Sequence, residues 1–158
     1  MPRTKEVTVS IPGWVSVKFV PNTAEKNAAW ALYVELSTRI AVQPFNRETG
    51  LMREVLTSLY SLFGFTRQAL RDAGPGVARG PDSFGPLAIR FLTEVLAPFT
   101  TKWHQPLLAY EALRPADCSA LDHERQWERF GEINTDLQSL QEKVNAYVEL
   151  LATIAGVV

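Results

Sequence analysis

The chain contains a single cysteine, Cys118, and only two histidines, His104 and His123. One cysteine excludes an internal disulfide and any metal site built from several thiolates, and it favours a reducing, cytoplasmic location. The positions three residues before the histidines hold Thr101 and Ala120, so the Glu-x-x-His pattern of di-iron helical bundles is absent. We therefore predict that the protein binds no metal and needs no cofactor.

The sequence also lacks long apolar runs and a strong net charge. No run approaches the roughly 18 apolar residues of a membrane helix, and the first residues show no apolar signal-peptide core. The net charge of −1 argues against a general nucleic-acid binder. We expect a soluble protein that binds neither membranes nor nucleic acid.

No catalytic motif is present either. The sequence has no Gly-x-Ser-x-Gly elbow, no phosphate-binding glycine loop and no dinucleotide fingerprint. Cys118 lies beside Asp117, whose negative charge disfavours the reactive thiolate. These absences predict that the protein is not an enzyme.

With 158 residues, of which 46% are hydrophobic, the chain is long enough for one domain with its own core. Apolar and polar residues alternate over 7–11 and 15–19 on either side of Pro12-Gly13, which predicts a β-hairpin arm over residues 1–21. Because an isolated hairpin is barely stable, it must lie on the helices or pair with another copy or another protein. For such pairing, the candidate partner-binding residues are Trp14, Val15, Val17 and Phe19.

Residues 22–158 are predicted to form a helical bundle. Asn22 and Glu25 have the spacing of a capping box, which begins a helix that should run to about Val42. A second helix is expected after Asn46 and should continue to about Asp72.

The stretch 73–86 holds four glycines and three prolines and is predicted to be a flexible linker. A connection of this length is either a crossover loop between helices or a functional segment. The crossover is the simpler interpretation.

A third helix should begin near Phe84. Pro98 and Pro106 lie within it, and each collides with the carbonyl four residues earlier, those of Glu94 and Lys102. The helix is therefore expected to kink or break at these positions.

Asp117 is predicted to cap a fourth helix that carries an unbroken heptad seam to its end. Together the four helices predict a mainly α, up-down four-helix bundle. The seam should face the interior of this bundle, with pairing between chains as the alternative. Its members are Phe130, Ile133, Leu137, Leu140, Val144, Tyr147, Leu151, Ile154 and Val158.

Two polar clusters are candidate ligand sites. Glu35 and Arg39 are spaced i, i+4 and form either part of a charged pocket between helices or a surface pair. Trp103 and His104 lie between the two prolines, where an aromatic plate, an imidazole and freed carbonyls suit a small polar ligand. Alternatively, Trp103 fills the core and His104 bonds to a carbonyl released by a proline.

Three segments carry a family resemblance: Trp30-x-Leu32-Tyr33-x-Glu35-Leu36-x-x-Arg39, Leu59-Tyr60-x-Leu62-Phe63 and Ala97-Pro98-Phe99-x-x-Lys102-Trp103-His104. They resemble segments of helical bacterial proteins, particularly actinobacterial ones, that have no assigned activity. The resemblance implies an accessory protein of a defence or signalling operon and assigns a role to no residue.

Two functions therefore stay open. The first is a non-enzymatic helical adaptor or oligomerising module, which binds a protein partner or a second copy of itself. The second is a small-ligand sensor that uses a pocket at the Trp103-His104 kink.

Overall fold

The computed structural model describes residues 5–11 and 13–157. It is mainly helical and begins with a two-stranded antiparallel sheet. None of the helices in these ranges combines the length and hydrophobicity needed to cross a membrane. The elements are β1 (Val7–Ile11), β2 (Val15–Phe19), α1 (Thr23–Ser37), α2 (Met52–Ala73), a 3-10 helix (Pro75–Val77), α3 (Phe84–Arg90), a π-helix (Phe91–Leu96), α4 (Ala97–Glu111), α5 (Ala120–Arg125) and α6 (Phe130–Ala155).

The predicted hairpin is present and lies on the helices of its own chain. Ile11 pairs with Val15, and the amide of Trp14 donates to the carbonyl of Ile11 at 2.9 Å. Gly13 has a φ of 77°, which suits glycine at this turn, whereas Pro12 lies outside the described residues. Val9 is fully buried and β1 contacts α6. The hairpin therefore gains its stability from the helical core.

The capping box at the start of α1 is confirmed. The amide of Glu25 donates to Asn22 Oδ1 at 2.8 Å, and the amide of Asn22 donates back to Glu25 Oε1 at 3.1 Å. The predicted end at Val42 is wrong, because the helix stops at Ser37. The hydroxyl of Thr38 donates to the carbonyl of Val34, and a series of turns follows.

The predicted start of α2 after Asn46 is also wrong. Asn46 Oδ1 accepts the amides of Glu48 and Thr49 and so closes a separate turn. α2 begins at Met52, where Glu124 from a distant part of the chain accepts the first amide at 2.6 Å. A long-range contact therefore replaces the local cap that the sequence suggested.

The glycine- and proline-rich stretch 73–86 contacts α1 at several points. The side-chain amide of Asn22 donates to the carbonyl of Gly76 at 2.8 Å, and Val77 is buried. Gly85 packs so closely that a Cβ there would lie 2.9 Å from the carbonyl oxygen of Val77. These contacts attach the segment to the core, and its flexibility stays a prediction.

The third predicted helix begins at Phe84, as expected, and continues without a break to Glu111. The helix does not break at Pro98, because a π-helix precedes it and the residues that join the segments keep helical backbone angles, whereas a kink there stays a prediction. In this π-helix the amide of Ala97 donates to the carbonyl of Leu92, five residues back, so the turn that precedes Pro98 is wider than an α-helical one. Pro106 remains inside α4.

The last predicted helix is divided in two. Ser119, rather than Asp117, caps α5 by accepting the amide of Asp122 at 3.0 Å. The chain then turns before α6, whose eight described seam positions are all buried within the single chain. The inward orientation of the seam is thereby confirmed, and Val158 lies outside the described residues.

Candidate functional site

The two residues of the predicted kink site face different neighbours. Trp103 is fully buried, donates from Nε1 to Asp136 Oδ2 at 2.9 Å and meets the ring of Trp127 edge to face. It therefore fills the core. His104 instead contacts the ring of Tyr60, with 5.4 Å between centroids. Its buried Nδ1 has no hydrogen-bond partner in the described part of the chain, so the predicted bond to a freed carbonyl is wrong.

Asp136 joins this core tryptophan to the surface. Its Oδ2 also accepts from Lys102 Nζ at 2.7 Å. The bond to Lys102 is the main reason why the pKa of Asp136 is lowered, and the same bond raises the pKa of Lys102. The arrangement stabilises the packing of α4 on α6.

The predicted pair of Glu35 and Arg39 forms and bridges two helices. Arg39, two residues beyond the end of α1, binds Glu35 in its last turn and donates to the carbonyl of Ser58 in α2 at 3.3 Å. Arg53 of α2 binds Glu111 of α4 and does not join this pair. Glu35 and Arg39 therefore form a partly buried pair between α1 and α2, and their role in holding a ligand stays a prediction.

The four predicted partner-binding residues pack against the core of their own chain. Trp14 Nε1 donates to Glu94 Oε2 at 2.6 Å, and its ring lies edge to face on Phe91 of the π-helix. Val15, Val17 and Phe19 are half-buried. Their role in binding a partner stays a prediction.

A polar cavity that the sequence did not predict lies where the start of α2 meets the end of α4 and α5. We call it the α2–α4–α5 cavity; it is largely enclosed and has a volume of about 260 Å³. Neither Trp103 nor His104 lines it. Its lining residues are Leu51, Arg53, Leu107, Tyr110, Glu111, Arg114, Ala120, His123 and Glu124.

Tyr110 and His123 form a rigid wall of this cavity. Their rings stack in parallel with 3.9 Å between centroids. The hydroxyl of Tyr110 donates to the carbonyl of His123 at 2.6 Å, and His123 Nε2 lies 2.7 Å from the carbonyl oxygen of Tyr110. Because a carbonyl only accepts, Nε2 must carry the proton in this bond. Burial raises the pKa of the Tyr110 hydroxyl.

Glu124 is a carboxylate with only 4% of its surface exposed. Its Oε1 accepts the amide of Met52 and Nη1 of Arg125, the latter at 3.1 Å. Burial is the main reason why the pKa of Glu124 is raised, and the bonds to the start of α2 oppose it. The cavity wall and the first turn of α2 therefore share one side chain.

Two arginines complete the lining. Arg53 donates from Nε to Glu111 Oε2 at 3.0 Å and from Nη2 to Glu111 Oε1, so this pair is bidentate. Arg114 donates from Nη1 to the carbonyl of Cys118 at 2.8 Å. Charged groups of both signs thus meet an apolar surface in one enclosed space.

The sequence missed this cavity because its residues come from three separate segments. The one local indication was Ser119, which has Asp122 three residues later and so matches a helix-start pattern. Recognition of that pattern would have separated α5 from α6 and placed His123 and Glu124 on a short helix of their own.

Comparisons with known proteins give no relative from which a function can be transferred. The chain matches no family model, no curated protein and no solved structure. Within residues 5–11 and 13–157, no group of three or more His, Cys, Asp or Glu side chains is arranged to hold a metal ion. The resemblance to actinobacterial proteins stays a prediction.

Proposed function

We propose that the chain is a non-enzymatic binding protein, a sensor for a small molecule held in the α2–α4–α5 cavity. The observation that carries this proposal is the enclosed volume of about 260 Å³ lined by both apolar and polar side chains. Small-molecule sites are typically concave and mostly apolar, with a few placed polar groups. This proposal moves the ligand away from Trp103 and His104, which do not line the cavity.

The walls of the cavity are well supported. Leu107 is fully buried, and the Tyr110–His123 stack is held by a bond at each end. A site with walls fixed by packing and hydrogen bonds loses little entropy when it binds a ligand. Walls held in this way favour a ligand-binding site over a packing defect.

A cavity-filling variant tests the proposal. Fragment molecules are screened by their effect on thermal unfolding, with Ala120→Phe to block the cavity and Ala112→Phe, an exposed position after α4, as the matched control. A ligand at about 100 times its Kd should stabilise the protein by about 2.7 kcal/mol. This stabilisation should vanish in Ala120→Phe and persist in Ala112→Phe. Equal stabilisation of both variants would place the ligand elsewhere.

A second candidate is a helical adaptor or oligomerising module, with a protein partner or a second copy bound on α1. Trp30 and Val34 lie one turn apart on this helix and are 49% and 43% exposed. Exposed apolar side chains that are adjacent favour association. In light scattering, Trp30→Glu should reduce any oligomer to monomer. If the unsubstituted protein is already a monomer, it does not self-associate through α1.

We also propose that α1, α2, α4 and α6 form an up-down bundle. Each of these helices contacts two of the others, and Arg53 near the start of α2 binds Glu111 at the end of α4. The proposed setting is bacterial and cytoplasmic, as an accessory protein of a defence or signalling operon. The single cysteine supports the location, and the resemblance supports the operon.

A further inference from the structure

Several of the side-chain hydrogen-bond acceptors in the α2–α4–α5 cavity are already occupied. Both oxygens of Glu111 accept from Arg53, and Glu124 Oε1 accepts from two donors. Tyr110 and His123 bond to each other's carbonyl groups. A ligand that needs acceptors from the protein therefore finds few of them here.

Donors, in contrast, remain. A guanidinium has five N–H groups. Arg114 uses only Nη1, and Arg53 uses only Nε and Nη2, in hydrogen bonds to described residues. The guanidinium edges left over match the geometry of a carboxylate.

The ion pairs around the cavity also favour an anionic ligand. Arg53 is paired with Glu111, and Glu124 is paired with Arg125. Arg114 is exposed and is the one charged residue of the lining without an ion pair to a described residue, so its guanidinium is available to an anion. An anionic group on the ligand would pair with this guanidinium.

The remaining lining sets the size and polarity of the rest of the ligand. Leu51 and Leu107 supply an apolar surface, and the volume of about 260 Å³ lies just below the range of 300–1,000 Å³ for drug-sized sites. We propose, on the basis of the function proposed above, that the cavity binds a small organic acid. Its carboxylate binds to Arg114, and its apolar body lies against Leu51 and Leu107.

The test titrates the whole chain with benzoate and hexanoate and with their neutral counterparts, benzamide and hexanamide. Binding is followed by NMR at His123 and the residues around it. The acids should bind at least about tenfold more tightly than the amides, because a charge-assisted contact to a guanidinium is about 1.5–3 kcal/mol. Arg114→Gln should remove this preference, and Arg71→Gln, at an exposed position near the end of α2, should keep it. Inorganic phosphate, which has no apolar body, should bind more weakly than either acid.

The outcomes separate this inference from the proposed function. Amides that bind as tightly as the acids, or an acid affinity unchanged by Arg114→Gln, would overturn the anionic ligand and keep the cavity as a site. Absence of binding by all four organic probes would overturn both. Phosphate that binds more tightly than the acids would overturn the organic-acid body and keep the anion site.

Discussion

At the scale of the residue, Asp136 makes two hydrogen bonds that contribute differently to stability. Its bond to Lys102 is exposed, and exposed ion pairs contribute about 0–1 kcal/mol. Its bond to Trp103 satisfies the N–H of a fully buried indole, and loss of such a partner costs about 1–3 kcal/mol. The bond to Trp103 therefore determines most of what Asp136 contributes to stability.

We predict that Asp136→Ala lowers the free energy of unfolding by about 1–3 kcal/mol, because the indole N–H is left without an acceptor. Glu132→Ala is the control, since Glu132 approaches the same Lys102 at 3.7 Å, whereas the indole of Trp103 donates to Asp136. Its effect should stay below about 1 kcal/mol. Urea unfolding measures both, and equal losses would contradict the assignment.

Glu124 should make stability depend on pH. Burial raises its pKa above the ordinary value of 4.5, so the folded chain holds this proton more tightly than the unfolded chain. The stabilisation from the protonated form is complete below the ordinary pKa and is lost as the pH rises through the raised value. Glu124→Gln is neutral at every pH and keeps an oxygen for the amide of Met52.

We therefore expect the unsubstituted protein to lose stability relative to Glu124→Gln as the pH rises from below the ordinary pKa of 4.5 through the raised pKa of Glu124. Denaturant unfolding at several pH values gives this difference directly. Glu128→Gln, at an exposed position nearby, serves as the matched control and should give a much flatter difference. If the stability difference between the unsubstituted protein and Glu124→Gln changes with pH no more than the difference for Glu128→Gln, burial of Glu124 does not control the pH dependence of stability.

At the scale of the element, the two prolines of the long third helix have unequal surroundings. Pro98 directly follows the π-helix, whose wider turn bonds the amide of Ala97 to the carbonyl of Leu92, five residues back, and leaves more room for the proline ring. Pro106 lies inside α4 and deprives the carbonyl of Lys102 of its normal helical partner. Only Pro106 should therefore destabilise the helix that contains it.

We predict that Pro106→Ala raises the free energy of unfolding by about 1–3 kcal/mol, since an interior proline costs a helix about 3 kcal/mol relative to alanine. Pro98→Ala should change it by less than about 1 kcal/mol. Thermal unfolding of both variants checks this. A gain from Pro98→Ala as large as that from Pro106→Ala would show that the π-helix does not relieve Pro98.

Elements with local sequence patterns were predictable, and those that depend on distant contacts were not. The capping box of Asn22 and the heptad seam follow from residues a few positions apart. The start of α2 depends on Glu124, and no local sequence pattern around Met52 indicates that a helix begins there. The α2–α4–α5 cavity was missed for the same reason, because Arg53, Glu111 and His123 meet only in the folded chain.

At the scale of the whole molecule, Glu25 joins three segments. This fully buried carboxylate caps α1, accepts from Arg79 Nη2 at 2.8 Å and accepts the amide of Phe84 at 2.9 Å. It thereby fixes the glycine- and proline-rich stretch to both α1 and α3. Glu25 thus adds two hydrogen bonds to the attachment that Asn22 and Val77 also provide.

We predict that Glu25→Ala accelerates trypsin cleavage after Arg79 and lowers the free energy of unfolding by about 2–3 kcal/mol, because charge-assisted hydrogen bonds are lost. Glu35→Ala, on the same helix but partly exposed, should leave the cleavage rate nearly unchanged. Mass spectrometry of the fragments identifies the cut. Cleavage after Arg79 at equal rates in both variants would mean that Glu25 does not hold the segment.

The cap that Glu124 provides for α2 also has a consequence for biosynthesis. Met52 and Glu124 are 72 residues apart in the chain. A ribosome that adds about 5–20 residues per second needs about 4–14 s to make the intervening chain. During that interval the nascent α2 has no acceptor from Glu124 at its first amide, and its first turn is left to fray. Completion of this turn thus waits for translation of α5.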